Sequence, residues 1–281
     1  MSIQSHSAGG YHWLNQWLRM YDDERAQGDA ATDPDFRVAP DFWEGQAERF
    51  AAAAASSPQP DGFMRFLLPR LRPTDRLLDI GAGTGRYEPL LSQHVADMFA
   101  LEPSAAMRRH LEQRCTANTH IIASSWPTPE APACDIIIAA HVLYGVREIG
   151  PFLQHMHTSA RRGCYLLMAF LHPAMYIAPF WQAIHGTSRL PLPGALECLA
   201  ALFQLGIPAN LSLIPVDGRM SFPSEEEAIA DVRSRLRVAP EPQRDQRIRA
   251  LIREQFEHRD DGSLRPRGLA EQAAVIWWEH Q

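Results

Sequence analysis

The chain has 281 residues, 46% of them hydrophobic and 21% charged, enough apolar material for one full core or for a domain with an appended subdomain. A formal charge of −6, with no Lys/Arg-rich run, argues against a nucleic-acid or anionic-membrane surface, both of which need a dense basic face. The first ten residues lack a signal-peptide pattern, no apolar run reaches spanning length, and Cys115, Cys134, Cys164 and Cys198 form no CxxC pair. A cytoplasmic protein without disulfides, metal or membrane contact is expected.

The N-terminal stretch is helical in pattern. Tyr11, Leu14, Trp17, Leu18 and Tyr21 fall at helical spacing, and "DFWEGQAERFAAAAA" (Asp41–Ala55) continues the theme until "SSPQP" breaks it. Short apolar runs at Leu77–Ile80, Met98–Leu101, Ile121–Ala123, Ile136–Ala140 and Tyr165–Ala169 then alternate with helical patterns such as Ile149, Phe152, Leu153 and Met156. That alternation predicts βαβ units and a parallel sheet covered on both faces. The proline- and aromatic-rich segment Leu171–Gly194 reads as a loop or lid. Beyond it come a helix over Ala195–Leu205, a strand near Leu211–Val216, a capping box at Ser224–Glu227, an amphipathic helix carrying Ile248, Leu251, Ile252 and Phe256, and a last strand, Ala273–Trp278. The expected organisation is a helical cap (1–60), a core (61–170) and a lid with the closing strands (171–281).

"RLLDIGAGTGRY" (Arg76–Tyr87) places three glycines directly behind the first strand. In a parallel α/β sheet, ligands bind beyond the carboxyl ends of the strands, so this loop lies at the binding edge. A dinucleotide loop would carry G-x-G-x-x-G, but the position for its third glycine is Arg86. Asp79 would repel a pyrophosphate and suits a cationic ligand instead. Glu102, one helix and one strand further on, suits a ribose diol. A ribose with a cationic amino-acid tail describes S-adenosylmethionine.

"LLDIGAGTGRY", "ALEPSAAM" and "CDIIIAAHVLYGV" together resemble the class I S-adenosylmethionine-dependent methyltransferases, over roughly Phe63–Phe170. The resemblance implies a Rossmann-like α/β sheet, mostly parallel, with the last strand antiparallel beside the fifth. It also implies S-adenosyl-L-methionine as cofactor, S-adenosyl-L-homocysteine as product, and a methyl acceptor as partner. By the same resemblance, Gly81, Ala82, Gly83 and Gly85 approach the methionine portion and Asp79 holds its ammonium. Glu102, followed by Pro103 and Met107, holds the ribose. The family often carries an aspartate after the third strand for the adenine amino group. Here the segment reads "IIASSWPTP", which leaves Ser124 or Ser125 as acceptor and Trp126 either stacking on the purine or packing in the core.

The fourth strand exits at "AAHVLYG" rather than at the Asn/Asp-Pro-Pro-Tyr of enzymes acting on bases or glutamine amides. His141 and Tyr144, three residues apart, are the candidate catalytic pair, with His141 either a base or a wall of the cofactor pocket. Phe42, Trp43, His172, Tyr176 and Trp181 either line an acceptor pocket with Tyr144 or pack helices onto the sheet. The functional expectation is O-, N- or S-methylation of a small molecule. RNA or protein methylation and non-catalytic cofactor binding are the alternatives.

Overall fold

The computed structural model describes residues 12–37, 43, 46–56, 60–216 and 220–280; Tyr11 and Phe42 lie outside them. The strands are β1 (Arg76–Ile80), β2 (Asp97–Leu101), β3 (Thr119–Ile122), β4 (Cys134–Ala140), β5 (Ala160–Ala169), β6 (Asn210–Pro215), β7 (Phe256–His258), β8 (Leu264–Pro266) and β9 (Gln272–Glu279). Helices α1 (Trp13–Ala30), α2 (Ala47–Ser56) and α3 (Gly62–Leu67) precede β1; α4 (Glu88–Leu91), α5 (Ala105–Glu112) and α6 (Ile149–Ser159) lie between strands. After β5 come α7 (Ala178–His185), α8 (Ala195–Gln204), α9 (Glu225–Leu236) and α10 (Pro242–Gln255). None of the described helices is long and apolar enough to cross a membrane.

Seven strands form one sheet in the order β3-β2-β1-β4-β5-β9-β6. β1 to β5 pair in parallel, while β9 runs antiparallel to both β5 and β6. The expected mixed sheet is therefore observed, with the last strand inserted beside the fifth and β6 outside it.

Strand periodicity divides the apolar residues between two faces. Leu78, Ile80, Ile137, Ala139, Leu166, Met168 and Ile276 face one way, against Phe152, Leu153 and Met156 of α6, Leu202 of α8 and Trp17 of α1. Leu77, Ile136, Ile138, Tyr165, Leu167 and Val275 face the other, against Phe63, Met64 and Leu67 of α3 and Leu91 of α4. The α1 helix is tied in by a hydrogen bond as well: Trp17 Nε1 donates to the Val146 carbonyl at 2.8 Å.

A third cluster lies outside the sheet. Ile177, Phe180 and Trp181 pack with Ile229, Val232, Leu236, Ile248, Ile252 and Phe256, joining α7, α9 and α10 into one helical layer. Polar contacts fix it to the N-terminal helices: Arg244 pairs with Asp33 at 2.8 Å, Arg237 with Asp29, and Arg49 of α2 with Asp231 at 3.4 Å.

Three local readings need correction. Leu171–Gly194 is not simply a loop: it forms a 3₁₀ turn (Pro173–Ile177) and then α7. Pro173 and Pro179 sit in first turns, where a missing N–H costs nothing, so prolines that resemble breaks are starts. The helix after the glycine loop spans only Glu88–Leu91, shorter than the Tyr87–Gln93 that the sequence suggests there, with Pro89 in its first turn. Phe256, spaced like a helical residue after Ile252, instead opens the β7–β8 hairpin, whose three-residue strands are too short to show a period.

Candidate cofactor and acceptor site

Asp79 lies in β1, an interior strand, flanked by Ala100 of β2 and Ile138 of β4, one residue short of the strand's end. The glycine loop then turns against the tip of β2, with the Gly81 and Ala82 N–H groups donating to the Leu101 carbonyl at 2.7 and 3.1 Å. Gly81 and Gly83 both hold left-handed backbone, at φ 73° and 60°, but for different reasons. A Cβ on Gly81 would come within 2.6 Å of Val142 Cγ2, so this glycine allows the loop to pack on the turn after β4. A Cβ on Gly83 would have only the Gly81 carbonyl near it, at 4.0 Å. Its open face is where a ligand can approach the backbone.

Glu102 is buried and turned into the loop. Oε2 accepts from the Gly83 N–H at 2.9 Å and Oε1 from the Ser104 N–H at 2.8 Å. Each carboxylate oxygen keeps further acceptor capacity, so the residue fixes the loop and can still meet a diol.

Asp79 and Glu88 form a buried carboxyl pair beneath the loop. They lie within hydrogen-bonding reach of one another, yet Asp79 Oδ1 and Glu88 Oε1 have no hydrogen-bond partner. Burial, followed by repulsion from Glu88, pushes the Asp79 carboxyl well above its usual range. Burial raises Glu88 to about 7, against hydrogen bonds from backbone N–H groups, including that of Tyr87, that favour its charged form.

Across the loop, the Val142 contact brings in the turn after β4. His141 holds a left-handed backbone at φ 61°, and its N–H donates to the Leu167 carbonyl at 2.8 Å. The bridge to β5 imposes this unusual conformation for a non-glycine residue. His141 Nδ1 lies 3.1 Å from the Tyr144 hydroxyl, which also accepts from the Ala169 N–H. His172 meets the Tyr144 ring edge-on, with centroids 4.9 Å apart. His141 is exposed to solvent, but the protein crowded around it, and next the Arg86 guanidinium, push its imidazole down to about 4. Burial, then Arg235, does the same for His172, also to about 4. Burial raises the Tyr144 hydroxyl further.

The structure thus brings Asp79, Gly81, Ala82, Gly83, Gly85 and Glu102 to one edge, and His141, Tyr144 and His172 together beside it. Other expected site residues are otherwise engaged. Met107 is buried with Ala47 of α2 and Ala106, and Pro103 is exposed. Ser124 and Ser125 follow β3, Ser124 half-buried and Ser125 exposed. Trp126 donates Nε1 to the Phe152 carbonyl at 3.1 Å and packs edgewise on Phe152, which is the packing alternative. Trp43 is exposed and stacks edge-on with Phe50 at 5.7 Å. Tyr176 donates its hydroxyl to Asp231, which also accepts from Arg235 at 2.7 Å. Trp181 is fully buried inside the helical layer; it packs that layer instead of lining a pocket, with Arg189 over its ring at 4.0 Å and His185 tilted against it at 4.3 Å.

Sequence reasoning missed Glu88 and the Asp61–Arg86 pair. Arg86 bonds Asp61 Oδ2 at 2.7 Å, and the Tyr87 hydroxyl donates to the same oxygen at 3.2 Å, while Asp61 Oδ1 caps α3. Glu88 carried one signal: an acidic residue at the first position of a helix otherwise buried, where Leu91 completes the core.

A parallel sheet with this strand order, a glycine loop after β1 and a carboxylate after β2 defines the class I methyltransferase fold. Residues 46–181 match the model of a family described as a methyltransferase domain, and that match on this fold marks an S-adenosylmethionine-dependent methyltransferase. A protein of Haemophilus influenzae described as uncharacterized is 23% identical over 257 residues, covering 86% of this chain and 90% of its own. The crystal structure of a candidate methyltransferase from Bacillus halodurans is 11% identical, with a TM-score of 0.51, covering 78% of this chain and all but 1% of that one (99%). An N-methyltransferase of Bradyrhizobium japonicum, solved with S-adenosyl-L-homocysteine, gives 14% identity and a TM-score of 0.46 over 85% of this chain and 99% of its own. At such identities the structural likeness concerns the fold.

Two features of the site fit the cofactor: the open face of Gly83 and the buried acceptor atom of Asp79 that lacks a donor. An ammonium supplies what Asp79 lacks.

Proposed function

We propose that the protein methylates a small-molecule acceptor, on oxygen, nitrogen or sulfur, in the space between the glycine loop and the His141–Tyr144–His172 cluster. The observation that carries this reading is the packing of Gly81 on Val142, which locks the cofactor loop to the turn bearing His141. In this reading Asp79 binds the ammonium, Gly83 presents its bare backbone to the methionine portion, and Glu102 accepts from the ribose while holding the loop. Bound there, the cofactor supplies a sulfonium-activated methyl group. Ser124 and Ser125, beyond β3, offer hydroxyls toward the adenine end.

The chain's own contribution is alignment and the control of one proton. Fixing the acceptor against the methyl group converts a bimolecular encounter into an effectively unimolecular step. His141 is neutral at physiological pH, since its imidazole is held down to about 4, and so has a lone pair available. If Nδ1–H donates to the Tyr144 oxygen, Nε2 is the basic atom facing the cleft, and Tyr144 acts as its orienting partner. A hydroxyl or thiol acceptor would give its proton there; an amine acceptor needs only to be held. The helical layer of α7, α9 and α10, with His172 at its start, supplies the cover that excludes water.

A net charge of −6 and the absence of Asn/Asp-Pro-Pro-Tyr after β4 favour a small molecule over RNA or protein. The test is a screen for S-adenosyl-L-homocysteine release with hydroxyl-, amine- and thiol-bearing small molecules alongside RNA and protein pools. Release that depends on a small molecule supports the reading, and release that depends only on a macromolecule refutes it.

A further inference from the structure

The glycine loop covers a pair of buried acids of which the proposed function uses only one. Asp79 and Glu88 are 2% and 0% exposed, and Glu88 Oε2 accepts from the Tyr87 N–H at 3.1 Å. The opposite oxygen of Glu88 and Oδ1 of Asp79 have no donor, although the two carboxyls lie within hydrogen-bonding reach of one another. Two carboxylates offer only acceptors. One proton between them supplies the missing donor and removes one of two like charges in a fully buried site, where both cannot ionise cheaply.

We propose that Asp79 and Glu88 share one proton in the cofactor-free protein, and that docking the cofactor's ammonium against Asp79 displaces this proton to solvent, making Glu88 a positioning residue that couples cofactor binding to proton release. The inference rests on the reading that Asp79 receives the ammonium. The exchange balances: an ammonium N–H replaces the O–H as donor to Asp79, the displaced proton goes to buffer, and the pair gains one negative charge as the cation arrives.

The surroundings support such an exchange. Glu102, just after β2, adds negative charge on the Asp79 side, and Arg114, after α5, favours an ionised Glu88. Arg114 is fixed by a 2.6 Å bond to the Gly85 carbonyl, Arg86 is paired with Asp61, and the Tyr87 hydroxyl donates to Asp61. None of these groups hands a proton to the pair. His141, across the loop, titrates near 4, below the range in which the pair exchanges its proton. Burial holds both acids above their ordinary range, with Glu88 at about 7, and repulsion from Glu88 adds to it at Asp79.

The experiment is calorimetry with S-adenosyl-L-homocysteine, which carries the ammonium, in buffers of different ionisation heat, between about pH 5.5 and 7.5. The wild type is expected to release up to about one proton per ligand, with affinity rising toward roughly tenfold per pH unit at the acid end. Glu88→Gln keeps the shape and gives Asp79 a permanent amide donor. It should bind with a flat pH profile and no proton release. 5′-Methylthioadenosine, which lacks the ammonium, should release none from the wild type. In the absence of ligand, the thermal midpoint of Glu88→Gln should gain on the wild type as pH rises through about 7, because an acid raised above its ordinary value loses its stabilising protonation there. Binding without proton release in the wild type overturns the proposal, as does equal release in Glu88→Gln or with 5′-methylthioadenosine. No binding of S-adenosyl-L-homocysteine at all would instead show that the cofactor reading itself is wrong.

Discussion

Gly81 and Gly83 have similar backbone angles but should respond differently to the same substitution. Alanine at either position must accept a left-handed conformation, at a cost of about 1–2 kcal/mol. At Gly81 the new methyl also lands 2.6 Å from Val142 Cγ2. Overpacking of that kind adds about 1–3 kcal/mol, so Gly81→Ala should lose about 2–5 kcal/mol of stability in urea denaturation. At Gly83 the methyl meets nothing closer than 4.0 Å, and the stability loss should stop at the backbone term. The same methyl would occupy the space a bound ligand needs. A 1–3 kcal/mol clash there corresponds to roughly 5–150-fold weaker S-adenosyl-L-homocysteine binding, measured by equilibrium dialysis on the folded protein. Gly85→Ala is the control: its backbone is equally left-handed, but its methyl would point at Leu111 and Arg114, 3.1–3.2 Å away, so affinity should suffer less than in Gly83→Ala. Gly83→Ala binding as tightly as the wild type would refute the assignment of its open face to the ligand.

Other perturbations separate the remaining roles. Glu102→Ala removes the acceptor for the Gly83 and Ser104 N–H groups; at about 1.5–3 kcal/mol per charge-assisted bond, it should lower both unfolding free energy and affinity for S-adenosyl-L-homocysteine, and unchanged affinity would remove Glu102 from the ribose site. His141→Ala should cut kcat roughly 10²–10⁴-fold if the acceptor loses a proton, with cofactor affinity nearly constant; a mutant rate close to wild type would mean alignment alone. The wild-type rate should show no His141 titration near 6.5, because the imidazole is held down to about 4: a His lowered in the fold is neutral above that value, and its limb falls only as pH drops toward about 4. Trp17→Ala should cost about 3–5 kcal/mol, since the ring is fully buried and its N–H is bonded to Val146; a loss below about 1 kcal/mol would show that α1 does not belong to the core.

The sheet was legible because the strands carry short apolar runs and most connections a helical one. The antiparallel insertion of β9 was an expectation of the resemblance that no local pattern encodes. The loop was legible from "DIGAGTG" together with Glu102, because backbone freedom and charge at a strand end leave few ligands to choose from. What escaped were features set by tertiary contact. His141 looked like an ordinary imidazole titrating near neutrality; its depressed titration follows from crowding and from Arg86, neither of which its neighbours in sequence reveal. For Trp181 and Tyr176 the sequence left pocket lining and helix packing open; Trp181 entered the core of the helical layer and Tyr176 bonded Asp231, a residue far along the chain. Glu88 drew no reading from the sequence, and only the fold showed it beside Asp79.

The central claim is that the loop and its acids hold S-adenosylmethionine, and direct titration calorimetry tests it. S-adenosyl-L-methionine and S-adenosyl-L-homocysteine should each bind once per chain, while NAD, whose pyrophosphate would face Asp79, should give no saturable heat. NAD binding more tightly than either would contradict the account at its root.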